Sequence, residues 1–198
     1  MSPLPYCSNL LPALAALVSP MLAPPAPAHA DDWRPTVDAG LLLARPTALA
    51  TGLSTGVSAG GALDVPSTPL FLSTRLGWST ATEYTLTRAV TQSDLRLRLG
   101  GGVQAAFGPG RIGLRVQGGG TLVHESSARD QADRAGLTGS DAVRTSWTLA
   151  PAWEAQATIS LRLVGDFGLS LALGPGAVRV AGAAKPTFAG ELGVAWLP

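Results

Sequence analysis

The fold is decided by the stretch WTLAPAWEAQATISLRL, residues 147–163. From Trp147 to Leu163 every second residue is apolar, and the residues between them are mostly polar, including Glu154 and Arg162. A period of two is typical of a β-strand, whose successive side chains point to opposite faces. The run is longer than most strands of soluble proteins, and its apolar face needs an apolar environment. It therefore predicts a strand that crosses a membrane, with lipid on one side and a polar lumen on the other.

The same alternation recurs from Trp33 to the end of the chain. It predicts seven further strands, near residues 36–44, 52–63, 69–79, 94–107, 111–125, 167–174 and 187–197. All eight strands agree on one inward and one outward face. The predicted fold class is therefore all-β, an eight-stranded antiparallel up-and-down transmembrane β-barrel.

The predicted connections differ in length between the two ends of this barrel. Those at one end are short, at residues 64–68, 108–110 and 164–166. Those at the other end are long, at residues 80–93, 126–145 and 175–186, apart from a short first connection at 45–51. Short periplasmic turns and longer external loops are typical of outer-membrane barrels, so both ends of the barrel chain are expected on the periplasmic side.

One of the short turns also predicts a register. In Gly108-Pro109-Gly110-Arg111, proline at the second position and glycine at the third favour a tight turn. Folding the fourth and fifth strands about it sets Gly101 opposite Gly118 and Gly100 opposite Gly119. Paired glycines are typical of places where a barrel bends, and a lipid-facing docking groove is the alternative interpretation.

Aromatic residues fall near the ends of the predicted strands. The row expected at the periplasmic end is Trp33, Phe107, Phe167 and Trp196. The row expected at the outer end is Trp78, Trp147 and Phe188. Amphipathic rings settle at the level of the lipid headgroups, so two rows predict two membrane girdles. A soluble secreted barrel, which is the alternative, does not predict two rows.

Composition limits the classes of function. The chain has 198 residues, of which 14% are charged, and its formal net charge is +1. A nucleic-acid binder would need lysine and arginine clustered on one face, so nucleic acid is not an expected partner. The length suits a single domain, and residues 31–198 are expected to form it.

Residues 1–30 form a separate unit. A mostly apolar stretch, 10–22, precedes Ala28-His29-Ala30, which fits the small-x-small pattern of a signal-peptide cleavage site. We expect a secretory signal that is removed after Ala30. The only cysteine is Cys7, and His124 is the only histidine after that site. No disulfide, metal site or cofactor is therefore expected.

The polar faces of the strands predict what fills the lumen. Long charged side chains dominate on strands three to six, whereas strands one, two, seven and eight supply mainly Gly, Ser and Ala. The predicted lumen network is Asp38, Arg75, Arg96, Arg98, Arg115, Glu125, Glu154, Arg162 and Glu191. An eight-stranded barrel is just wide enough for side chains to fill, so we expect arginine–carboxylate pairs to plug it. The alternative is a narrow gated channel for anions, lined by the same arginines.

With this strand count and alternation, residues 31–198 resemble the small eight-stranded outer-membrane proteins of the OmpA-barrel and OmpX kind. The resemblance rests on pattern and not on a diagnostic motif. It implies an outer-membrane location, contact with membrane lipid and lipopolysaccharide, insertion by the barrel assembly machinery, and a structural or surface-interaction role. That family typically ends on an aromatic residue, whereas Trp196 is followed here by Leu197-Pro198. No feature of the sequence identifies the external ligand.

One motif hints at an enzyme. His124 and Ser126 lie on the same lipid-facing side at the outer end of strand five, and His124-Glu125-Ser126 resembles the H-x-S pair of outer-membrane lipid A deacylases. A nucleophile and base of this kind also need an orienting acid and an oxyanion donor. Asp141 is an acid beyond the middle of the following loop, and no predicted strand positions it. A lipid-modifying enzyme is therefore the alternative to a non-enzymatic barrel.

Overall fold

The computed structural model describes residues 33–46, 52–84, 88–129 and 143–198, and the predicted signal at 1–30 lies outside them. The strands are β1 (Arg34–Ala44), β2 (Ser54–Asp64), β3 (Leu70–Tyr84), β4 (Arg88–Phe107), β5 (Gly110–Arg129), β6 (Val143–Val164), β7 (Phe167–Val180) and β8 (Ala183–Trp196). Each strand pairs antiparallel with the next, and β8 pairs with β1 to close a barrel. The predicted fold class is confirmed. Among the described residues, no helix is long and apolar enough to cross a bilayer.

Alternation sorts the side chains between the lumen and the outer surface. On β6, Leu149 and Trp153 are 74% and 51% exposed, whereas the adjacent Glu154 is only 5% exposed. Large aliphatic and aromatic residues cover the outside of the barrel, and its buried charges lie inside. This is the reverse of a soluble protein, because the outer face of each strand is matched to lipid.

The two ends of the barrel are the turn end, with connections 65–69, 108–109 and 165–166, and the loop end opposite it. Phe167 and Trp196 are paired neighbours at the turn end. Near the loop end, Trp78, Trp147 and Phe188 are exposed on the outer surface. These aromatic side chains thus lie in two rows on either side of an apolar belt, which is the arrangement of membrane girdles.

The barrel has two walls of different height. The short wall consists of β1 and β2, with 11 residues each, and of β7 and β8, with 14 each. The tall wall consists of β3 to β6, with 15, 20, 20 and 22 residues. The last residue of β3 that pairs with β2 is Thr80, and the first residue of β6 that pairs with β7 is Ala152. Beyond these residues, the tall wall continues as a projecting sheet formed by residues 81–84, 88–92, 125–129 and 143–151.

The prediction of a long loop at residues 175–186 is wrong. β7 runs on to Val180, β8 begins at Ala183, and only two residues connect them. Both have positive φ, 50° at Ala181 and 84° at Gly182, as type I′ hairpin turns require. The loops predicted at 80–93 and 126–145 are also partly strand, since β3 to β6 extend into them. Strand therefore occupies much of the sequence that its glycine, proline and polar content had assigned to loops.

The register predicted for β4 and β5 is wrong by two residues. The hairpin closes at Phe107 and Gly110, with a two-residue turn in which Gly108 has a φ of 46°. Gly100 therefore lies opposite Gln117 and Gly101 opposite Val116. A shift of two leaves every side chain on its predicted face, because the period of a strand is two. The paired-glycine patch, and the docking groove built on it, do not form as predicted.

Candidate functional site: the lumen cluster and the projecting sheet

The middle of the lumen holds a cluster that joins the two walls. Arg75, from β3, lies between Asp38 of β1 and Glu191 of β8, with 2.5 Å from its Nη2 to Asp38 Oδ2 and an ion pair from its Nη1 to Glu191. Arg115, from β5, reaches the same Glu191, with 3.4 Å from Nη2 to Oε2. It also donates from Nε to Gln156 Oε1 at 3.1 Å. Arginines of the tall wall are thus paired with the carboxylates of the short wall.

A second layer of charges lies nearer the loop end and belongs to the tall wall alone. Arg98 donates from Nε to Glu154 Oε1 at 3.1 Å, from Nη1 to the carbonyl of Gly120 at 2.7 Å and from Nη2 to Thr121 Oγ1 at 2.8 Å. Arg96 is held more loosely, 3.4 Å from Asp94 Oδ2 and 4.0 Å from Glu154 Oε1. Arg98 is therefore fixed on three sides, and Glu154 is the carboxylate that Arg96 and Arg98 share.

The lumen cluster comprises these two layers, and its charges balance. Its arginines are Arg75, Arg96, Arg98 and Arg115, and its carboxylates are Asp38, Asp94, Glu154 and Glu191. Each of these side chains except that of Asp38 is buried. Buried charges are tolerated when they are paired and hydrogen-bonded, so a neutral cluster is the form that can occupy a narrow lumen.

Packing closes the lumen around the cluster. Arg98, Gln92, Gln117 and Thr121 are among the most deeply buried side chains. Between the two layers, a cavity of only 10 Å³ remains, which is the space for about one water. A larger cavity, of 90 Å³, lies on the turn-end side of the layer that contains Arg75 and Arg115. Apolar residues flank the cluster, with Ala150 and Val178 towards the loop end and Phe71 towards the turn end.

The structure brings together seven of the nine residues predicted for the network, and two lie elsewhere. Arg162 is at the turn end, where its Nη2 donates to the carbonyl of Leu197 at 2.5 Å. Glu125 is half-buried in the projecting sheet, paired with Gln92 and Ser146 in the register of its neighbours. Both residues point inward as predicted, but β5 and β6 extend far enough to carry them past the two layers.

Sequence reasoning missed several polar partners. Asp94 and Gln156 complete the two layers, and both stand on the polar faces of their strands. At the turn end, Asp64 accepts hydrogen bonds from Gln104 at 2.7 Å and from Arg111 at 2.9 Å. The face of each residue was readable from alternation. Its height along the barrel was not, because height depends on the stagger between strands.

His124 and Ser126 are placed on the outer surface of the tall wall. The imidazole stacks on the ring of Trp147, with 4.2 Å between centroids and 30° between planes. His124 and Trp147 are direct neighbours in the β5–β6 register. Ser126 lies between Thr91 on β4 and Thr145 on β6. Asp141, the acid considered from sequence, lies outside the described residues. Within the described ranges, no group of three or more His, Cys, Asp or Glu residues is arranged to hold a metal ion.

Comparison with solved structures identifies the class of fold. Ail, the attachment invasion locus protein of Yersinia pestis, matches with a TM-score of 0.56 and 7% identity over 82% of this chain and 96% of Ail. Ail in complex with the heparin analogue sucrose octasulfate matches with a TM-score of 0.53 and 8% identity, over the same shares. Neisserial surface protein A matches with a TM-score of 0.50 and 11% identity, over 82% of this chain and 94% of that one.

The chain therefore has the fold of the small eight-stranded outer-membrane β-barrels, which confirms the resemblance seen in the sequence. At these identities the likeness concerns the fold. No model of a protein family matches the sequence, and no curated protein matches it.

Proposed function

We propose that the protein is a non-enzymatic outer-membrane barrel of the surface-interaction type. The observation that carries the proposal is the contrast between a lumen plugged by a neutral cluster and a sheet that projects beyond the apolar belt. Within the part of the chain that the structure describes, the plugged lumen leaves no open transport path, and the projecting sheet presents both of its faces outside the membrane. In this proposal, residues 1–30 direct export, the barrel assembly machinery inserts the chain, and the apolar belt contacts membrane lipid and lipopolysaccharide.

The location follows from the outer surface. Leucine and valine side chains that would be buried in a soluble protein are exposed here, for example 40% at Val57 and 74% at Leu149. A continuous exposed apolar belt bounded by aromatic rows is stable in a bilayer and not in water. Cell fractionation combined with heat-modifiability on a denaturing gel tests this directly. We expect the protein in the outer membrane, with different mobilities before and after boiling, whereas a soluble protein with one mobility would contradict the proposal.

The closed lumen predicts very low conductance. Moving a side chain of the cluster out of the way means separating a buried ion pair, which is costly. In planar bilayers, we expect no steady unitary currents from the purified barrel, with a general porin as the positive control in the same bilayers. Large reproducible currents would favour the narrow channel that the lumen arginines suggest as the alternative.

The non-enzymatic part of the proposal is tested on lipid A. The imidazole of His124 is stacked on Trp147, and its neighbours on the outer face in the register are Ser93 and Trp147. We expect identical lipid A mass spectra from cells with and without the protein. A loss of acyl chains that His124→Ala and Ser126→Ala each abolish, at unchanged protein levels, would establish the enzyme instead.

A further inference from the structure

The larger cavity of the lumen is a pocket at the turn end of the barrel. It has a volume of 90 Å³ and extends from Arg75 and Arg115 to Leu197, beyond the end of β8. Since one water needs about 10–15 Å³ on this measure, it has room for about six to nine waters, or for a molecule of about that many non-hydrogen atoms. Between the two charged layers only 10 Å³ remains. Within the described residues, the pocket is therefore closed towards the loop end and is not part of a path through the barrel.

Two arginines form the floor of this pocket, and both have donors to spare. Arg75 pairs with two carboxylates through its Nη atoms, and its Nε is buried with no hydrogen-bond partner in the described part of the chain. Arg115 bonds through Nε and Nη2, and no described residue accepts a hydrogen bond from its Nη1. Its nearest carboxylate, that of Glu191, is 3.4 Å away. Because guanidinium groups only donate, the floor favours a ligand that accepts hydrogen bonds.

The walls of the pocket carry hydroxyl groups. Four hydroxyl side chains line it from β1, β6 and β7, and none of them is hydrogen-bonded to another described residue: Thr36, Thr158, Ser160 and Ser170. Ser160 and Ser170 are direct neighbours in the β6–β7 register. Nearer the turn end, Arg162 donates to the carbonyl of Leu197 and forms no ion pair with a described carboxylate. The pocket thus combines a cationic approach and floor with walls that can both donate and accept.

We infer that the pocket binds a small carboxylate that also carries a hydroxyl group and enters from the periplasmic side. The carboxylate accepts a hydrogen bond from Arg115 Nη1, and the hydroxyl group bonds with Ser160 and Ser170. A hydrogen bond between guanidinium and carboxylate is about twice as strong as a neutral one. A cation is a poorer occupant, because Arg75 already pairs with both carboxylates of the floor. The inference goes beyond the proposed function, since it concerns the end of the barrel opposite the projecting sheet.

Three small molecules of similar size probe the pocket. Lactate has both the carboxylate and the hydroxyl group. Lactamide has nearly the same shape but no charge, and propionate has the charge but no hydroxyl group. Each is titrated into the isotope-labelled full barrel in nanodiscs at constant ionic strength, because salt alone screens exposed charges. The resonances of the backbone amides and of the arginine Nε–H groups are followed by NMR.

We expect lactate to shift the resonances of Arg115, Ser160 and Ser170 saturably, with a Kd on the order of 1 mM for so small a ligand. Propionate should bind about fivefold more weakly and lactamide at least about tenfold more weakly, because each loses a hydrogen bond and lactamide also loses the charge. Ser160→Leu fills the pocket and should abolish the shifts. Ser146→Leu is the matched control on the same face of β6, in the projecting sheet, and should bind within about twofold of wild type.

Three outcomes would overturn the inference. They are no saturable shift of the wild type by lactate, binding of lactamide or propionate as tight as that of lactate, and unchanged binding by a closed Ser160→Leu barrel. Heat-modifiability of each variant shows that the barrel is closed. Neither the apolar belt nor the projecting sheet takes part in the site, so each of these outcomes would leave the proposed function standing.

Discussion

The tall and short walls of the barrel divide its chemistry between them. The tall wall supplies all four arginines of the lumen cluster and two of its carboxylates. The short wall supplies the other two carboxylates, Asp38 and Glu191, and otherwise mostly small side chains. The tall wall alone would face the lumen with an excess of positive charge. The short wall balances it and leaves the space into which the long side chains reach.

The difference shows how a barrel of this size can hold charge at all. The lumen of an eight-stranded barrel is just wide enough for side chains to fill, so large side chains on every strand would overpack it. Long side chains on one wall and small side chains on the other fill the same volume without collision. Within the described residues, pairing to the short wall ends at Thr80 and Ala152, so the same asymmetry lets the tall wall extend past the short one.

The largest effect is expected inside the tall wall. Glu154→Leu leaves Arg98 and Arg96 without their shared carboxylate, and removing one partner of a buried pair costs about 3–5 kcal/mol. Ala157→Leu, on the lipid face of the same strand, only adds apolar surface and should be nearly neutral. Urea unfolding in detergent or lipid measures both free energies. The opposite ranking would mean that the two faces of β6 have been exchanged.

The faces of the strands could be predicted from sequence because lipid and lumen impose opposite demands on alternate residues. Connections could be predicted less well. Gly174-Pro175-Gly176 looks like a loop, yet it lies within β7. The register between β6 and β7 skips the positions opposite Gly174 and Pro175, so the missing N–H of proline is accommodated there. Such tolerance depends on the neighbouring strand, which the local sequence does not contain.

The contents of the cluster were predictable only in part for a similar reason. Alternation shows that Glu125 and Arg162 point inward, but their distance along the axis from Arg98 depends on strand stagger. The register error at Gly108-Pro109 shows how sensitive the stagger is to the position of a turn, because moving the turn by one residue moves each partner by two. Which face a residue occupies is local. Which partner it meets is set by all eight strands together.

A second effect is expected where the short wall closes. A Cβ at Gly40 of β1 would lie 2.2 Å from the carbonyl oxygen of Leu192 on β8, so Gly40→Ala has to push the two strands apart. We expect a loss of about 1–3 kcal/mol. Gly118→Ala on the tall wall is the matched control, since its Cβ would meet nothing within 4 Å. Equal unfolding free energies for the two variants would show that the short wall is not tightly closed at this seam.

A smaller effect is expected from the ion pair that links the walls. Asp38→Asn keeps the size of the side chain and removes its charge, so Arg75 keeps only Glu191 as a carboxylate partner. The Asp38 side chain is 22% exposed, and water softens the loss, so we expect about 1–2 kcal/mol. Asp166→Asn, at the turn between β6 and β7, is a control outside the cluster. A loss as large as that of Glu154→Leu would show that the link between walls matters as much as the layer within the tall wall.

The smallest effect is expected where the tall wall leaves the membrane. Trp147 stacks on His124 between neighbouring strands, and an aromatic pair of this kind is worth about 0.5–1.5 kcal/mol beyond burial. Trp147→Leu also removes an interfacial ring, so the single variant mixes stacking with membrane anchoring. A double-mutant cycle with His124→Leu separates them, because anchoring by Trp147 is lost equally in both backgrounds. We expect a coupling free energy within that range by urea unfolding in lipid. A coupling near zero would mean that the ring contact does not stabilise the base of the projecting sheet, leaving the β4–β5–β6 hydrogen-bond ladder as its support.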